Sequence, residues 1–151
     1  LYNAFSIDGA NLPIFQKRNM THLLGTMNAN FWAPDLDNPA NKKFVPAFKK
    51  HYKGQIPAHY AAQAYDALML IAAGIRAAKG DMSNKDAIRK GMEEADFDSV
   101  RGKIKFGRNH FPIQDFYARK VVNKNGQWQM SKVGEAVLKN HAPTNSAECK
   151  L

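Results

Sequence analysis

A chain of 151 residues, 44% hydrophobic and 23% charged, carries enough apolar material for one packed core, which excludes a disordered tail. Its net charge of +9, from 22 Lys+Arg against 13 Asp+Glu, is spread along the chain with no run of five or six basic residues, a pattern of a solvated surface rather than a nucleic-acid arm. The single cysteine, Cys149, cannot form an internal disulfide, and the longest apolar run, residues 67–75, is about half of what a bilayer-spanning helix needs.

Residues 1–5 read as a short strand closed by the turn-forming Asp8-Gly9. The opening resembles the inside of a strand rather than a secretion signal, as in a piece of a longer precursor. Residues 12–18 suit a short helix with Pro13 at its start, and residues 23–27 read as an apolar strand. An aromatic loop, residues 31–35, leads to Asn38-Pro39, a good N-cap and first-turn pair. Behind it Phe44, Phe48 and Tyr52 recur every four residues, giving an amphipathic helix. Pro46 inside that helix removes a backbone donor and is expected to kink or split it.

Residues 58–79 form the strongest helical pattern. Ala61, Ala64, Leu68, Ile71, Ile75 and Ala78 follow one face, and Ala62, Met69 and Ala73 a second, so burial on more than one side is expected. Gly80-Asp81 ends it, and Ser83 with Asp86 makes a capping box for a helix to about residue 95. The period then changes from 3.6 to 2. Val100, Gly102, Ile104 and Phe106 alternate with basic residues, residues 114–122 form another strand, and Asn125-Gly126 signals a hairpin into residues 127–133. The order of elements predicts a layered α/β fold.

Chemistry of the catalytic kind finds no support. There is no G-x-G-x-x-G, no G-x-x-x-x-G-K-[ST] and no G-x-S-x-G. The five histidines never fall into metal-ligand spacing, so neither a metal nor another cofactor is implied. Asp66, on the long helix, fits a carboxylate that caps or pairs locally better than a catalytic acid. The expectation is a binder, not an enzyme.

Tyr60-Ala61-Ala62-Gln63-Ala64-Tyr65-Asp66-Ala67-Leu68 resembles the aromatic-x4-Tyr-Asp-Ala helix of type I periplasmic binding proteins. The Lys-rich helix from Asn38 before it, and Val100-Arg101-Gly102-Lys103-Ile104-Lys105-Phe106 after it, stand in the order and spacing of the branched-chain amino acid-binding members. The resemblance covers nearly the whole chain and implies a C-terminal portion contributing to both lobes of that fold. Residues 1–26 would belong to the C-terminal lobe and residues 27–112 to the N-terminal lobe. Residues 113–151 would hold a crossover, a C-terminal lobe hairpin and the tail.

The function implied is that of the solute-binding component of an ABC importer in the periplasm, handing its ligand to a membrane permease. Its other partners would be the remainder of the same polypeptide or a second copy. The resemblance places the aromatic ligand contact of the family at Tyr60, although periodicity equally fits a core ring there. The carboxylate that receives a ligand's ammonium group falls on Phe5, or on Asp8 if the alignment moves by three. A phenyl ring cannot pair a buried cation. The implied ligand is therefore an aromatic carboxylate, with a branched-chain amino acid as the alternative. An α/β enzyme and a basic nucleic-acid-binding module are the competing classes.

Overall fold

The computed structural model describes residues 7–143, 148 and 149. The strand expected at residues 1–5, and Phe5 with it, lies outside the described residues. The chain runs through α1 (Leu12–Lys17), a single 3-10 turn, β1 (Met27–Asn30), α2 (Pro39–His51), α3 (His59–Ala77) and α4 (Lys85–Glu94). It then passes through β2 (Lys105–Phe106), β3 (Pro112–Lys124) and β4 (Gln127–His141). β3 is the central strand: β1, β2 and β4 all pair with it in antiparallel fashion. Mixed helix and sheet in this order agree with the α/β layering expected.

Local signals account for most boundaries. Asn38 caps α2 by accepting the Asn41 N–H at 2.8 Å, with Pro39 following it. Asn125 and Gly126, at φ 53° and 79°, make the tight turn between β3 and β4, both in the left-handed region a type I′ hairpin requires.

Other expectations are corrected. The strand foreseen at residues 23–27 is a 3-10 turn at Thr21–Leu23 followed by β1 four residues later. β1 is polar: its two buried side chains are Asn28, which accepts from Arg119, and Asn30, which accepts the Trp32 N–H. Pro46 does not split α2, which runs unbroken through it. Pro46 and Lys42, whose carbonyl loses its donor, both lie on the exposed face, where water replaces the bond.

The cap of α4 is Asn84, accepting from the Ala87 N–H at 3.1 Å, and not Ser83. The Ser83 hydroxyl instead donates to Asp81 at 2.6 Å, a local bond that competes with capping. The alternating run from Val100 yields only two paired residues, since residues 99–102 form a turn closed by Gly102 N–H to the Ser99 carbonyl.

The apolar interior is in two parts. Trp32, Ala33, Leu36, Phe44, Ala62 and Val100 form one buried cluster, between the α2 and α3 helices and the loop after β1. Leu12, Val121, Trp128 and Met130 form the other, between α1 and the β3–β4 hairpin. α3 buries His59, Ala62, Asp66, Ala73 and Gly74. Its other face is partly open: Leu68 is 69% and Ile71 45% exposed. The expectation of burial on both faces holds only in part among the described residues: on this other face Ala78 is buried and Ala61 and Ile75 are half-buried, but Leu68 and Ile71 are exposed.

Candidate functional site

The site is built at the first turn of α3. Its N-cap, Ala58, has no side chain able to accept from the helix N–H groups. The cap comes from Asp8, 51 residues earlier: one carboxylate oxygen, Oδ2, accepts the His59 backbone N–H at 3.3 Å and also bonds the His59 ring nitrogen Nδ1. A negative charge at a helix N-terminus is favoured by the helix dipole as well as by the hydrogen bonds. Gly9 permits this placement. A Cβ at residue 9 would come within 2.7 Å of the Pro57 carbonyl oxygen, so only a glycine lets the turn at residues 8–9 lie this close to the entry of α3.

Asp8 is buried and needs compensation. Its other oxygen accepts the Gly9 N–H at 2.6 Å, and Arg119 of β3 reaches Oδ2 with Nη1 at 3.1 Å. Burial pushes the Asp8 carboxyl up. The His59 hydrogen bond, the Arg119 charge and the Gly9 N–H together outweigh it and leave the group below its ordinary value. Arg119 is itself fully buried. Its Nε donates to Asn28 Oδ1 at 3.0 Å and its Nη1 to the Trp32 carbonyl at 3.0 Å. Burial pulls the guanidinium below its usual value against the opposing charge of Asp8.

Tyr60 follows His59 and projects outward, 65% exposed. The two rings lie against each other with centroids 4.0 Å apart and planes at 39°. Phe31 meets His59 edge-on at 6.1 Å and Phe116 edge-on at 6.4 Å. The Arg101 guanidinium lies 5.1 Å from the Phe31 ring centre, within cation–π range. Arg101 is fixed by Asp66 (Nε to Oδ2, 2.7 Å) and by Gln114 (Nη1 to Oε1, 2.9 Å). Asp66 also accepts the Ser99 hydroxyl at 2.6 Å and the Val100 N–H at 3.0 Å. It is a paired structural carboxylate that ties the turn after α4 to α3.

The site is therefore a row of rings backed by two buried arginine–aspartate pairs. Flat apolar faces can stack on such rings and the Tyr60 hydroxyl can bond a polar group. No group of three or more His, Cys, Asp or Glu able to hold a metal occurs among the described residues. No described helix is long and apolar enough to cross a membrane.

Of the residues singled out from the sequence, Tyr60 stands at the open end of the ring row and Asp8 inside the network behind it, joined through His59. His59, Arg119, Arg101 and Phe31 were not foreseen. One signal was available: Arg119 shares a strand face with Val121, between the outward Lys120 and the partly covered Ala118, and an arginine on an inward strand position requires a buried partner.

A family model described as periplasmic binding protein matches residues 2–127, and the chain belongs to that family, which is one of solute-binding proteins. Among solved structures, it is similar to the solute-binding protein of an ABC transporter from R. palustris in complex with benzoate, at 29% identity and a TM-score of 0.72, over 91% of this chain and 36% of that one. A leucine-binding protein from Thermotoga maritima is 27% identical with a TM-score of 0.61, over 79% of this chain and 33% of that one. The solute-binding protein of Rhodopseudomonas palustris HaA2 in complex with p-hydroxybenzoic acid shares the fold at 21% identity and a TM-score of 0.75, over 95% of this chain and 38% of that one. The chain thus spans about a third of the length of these relatives. A comparison with curated proteins found no match.

Proposed function

We propose that this chain is part of an extracytoplasmic, periplasmic solute-binding protein of an ABC importer, which encloses an aromatic carboxylate between two lobes. The protein releases the solute unchanged to a membrane permease and performs no chemistry on it. The observation that carries the reading is the outward ring of Tyr60 at the end of the His59, Phe31 and Phe116 row. A flat aromatic acid fits such a wall because it offers apolar faces to stack and a carboxylate to bond. The benzoate complex of the 29% identical relative lends support.

The two lobes correspond, in this reading, to the two apolar clusters. Leu12, Val121 and Trp128 would be the core of the lobe that takes residues 1–26 and 113–151, and Trp32, Phe44 and Ala62 that of the lobe that takes residues 27–112. Closure of one lobe on the other around the solute is the mechanism. A branched-chain amino acid is the second reading, favoured by the likeness to the leucine-binding protein. It requires an acidic partner for the ammonium group, whereas the Asp8 carboxyl is already bonded to Arg119, His59 and Gly9.

Calorimetric titration of the intact protein with benzoate, 4-hydroxybenzoate and leucine tests this. Saturable binding of the aromatic acids and no heat from leucine is expected. Tight leucine binding with no response to either benzoate would overturn the aromatic reading.

A further inference from the structure

We infer that Arg119, Asp8 and His59 form a buried relay that positions the ring of Tyr60, so that the internal carboxylate serves solute binding through Tyr60 and not by touching the solute. The inference rests on Tyr60 being a ligand contact, as proposed above.

Three segments far apart in the chain meet here, and all three side chains are inside: Arg119 is 0%, His59 1% and Asp8 4% exposed. A single oxygen, Asp8 Oδ2, holds both the backbone N–H and the ring nitrogen Nδ1 of His59. Two bonds from one residue to one fixed atom leave its ring no rotational choice. The atom is fixed in turn, because Arg119 grips it with a guanidinium anchored on Asn28 and on the Trp32 carbonyl. The His59 ring then offers its face to Tyr60 at 4.0 Å, with the edge of Phe31 at 6.1 Å steadying it.

Tyr60 has little else around it, being mostly exposed. An unsupported exposed ring samples several rotamers and loses that freedom on binding, whereas a ring held in one rotamer beforehand does not. A difference of about fivefold in affinity is the size of effect that one pre-ordered side chain gives.

The test uses the intact protein and the substitution His59→Asn, which keeps a short donor toward Asp8 but removes the ring. Coupling constants across the Tyr60 Cα–Cβ bond, measured without ligand, read the rotamers directly. A single rotamer in the unaltered protein and averaged values in His59→Asn are expected; one rotamer retained in both overturns the relay. If His59→Asn fails to fold, His59→Phe, with a ring but no donor to Asp8, carries the same measurement with the same two outcomes. Benzoate affinity supplies the second arm, as a cycle with Tyr60→Ala. His59→Asn should weaken benzoate about fivefold on its own and have no further effect beside Tyr60→Ala, whereas an equal loss in both backgrounds overturns the relay. If the unaltered protein takes up no benzoate, the aromatic-acid reading fails, and the rotamers still decide the relay.

Discussion

The two apolar clusters and the seam between them are made of opposite materials. Trp32, Leu36 and Phe44 on one side, and Leu12, Val121 and Trp128 on the other, exclude water with rings and aliphatic chains. The seam is carried by Asp8, Asn28, His59 and Arg119, which meet one another through hydrogen bonds and charges. An apolar contact tolerates small displacement because dispersion is non-directional. A charged hydrogen bond does not, since it weakens steeply with distance and angle. The clusters supply bulk stability, and the seam sets the geometry of the parts that meet across it.

Substitution should separate the two materials. Arg119→Met leaves a buried carboxylate without its cation and should cost about 3–5 kcal/mol in urea unfolding. Trp32→Ala should cost a similar amount, about 3–5 kcal/mol, through the cavity it opens. Second substitutions tell them apart. Adding Asp8→Asn to Arg119→Met recovers part of the loss because it removes the stranded charge, whereas adding Leu36→Ala to Trp32→Ala deepens it. Equal behaviour of the two pairs would break the distinction.

Acid provides a milder probe. The Asp8 carboxyl lies below its ordinary value of 3.8 in the folded protein. Its contribution is therefore present above the unfolded value and is lost as pH falls through the lower folded value. Thermal unfolding followed from pH 6 to pH 2 should show a steeper acid decline for the unaltered protein than for Asp8→Asn, and parallel curves would contradict the assignment. The smallest effect belongs outside both regions. Asn84→Ala removes only the cap of α4 and should cost about 1 kcal/mol by the same urea assay.

The sequence made the local parts of this fold legible and left the distant ones hidden. Asn38-Pro39 and Asn125-Gly126 announce themselves because capping and tight turning are decided within four residues. Ser83 misled by one position, since its nearest partner is Asp81 behind it rather than the helix ahead. Asp66 is paired, but not locally as expected: its partners Ser99 and Arg101 lie more than thirty residues on. Tyr60 was singled out by likeness alone. Its supports were not, because Asp8 and Arg119 are 111 residues apart and nothing near either one announces the other. The exposure of Leu68 and Ile71 on α3 was missed for a related reason: periodicity marks which side of a helix is apolar, but not what covers it.

Borrowing the cap of α3 from so far up the chain also bears on how the protein comes to be folded. A helix capped by its own neighbour can complete its first turn as soon as it nucleates. Here the cap requires a loop of 51 residues to close, an entropic cost that the surrounding contacts must offset. The segment that carries Tyr60 therefore gains its cap only once the chain around residue 8 has docked against it.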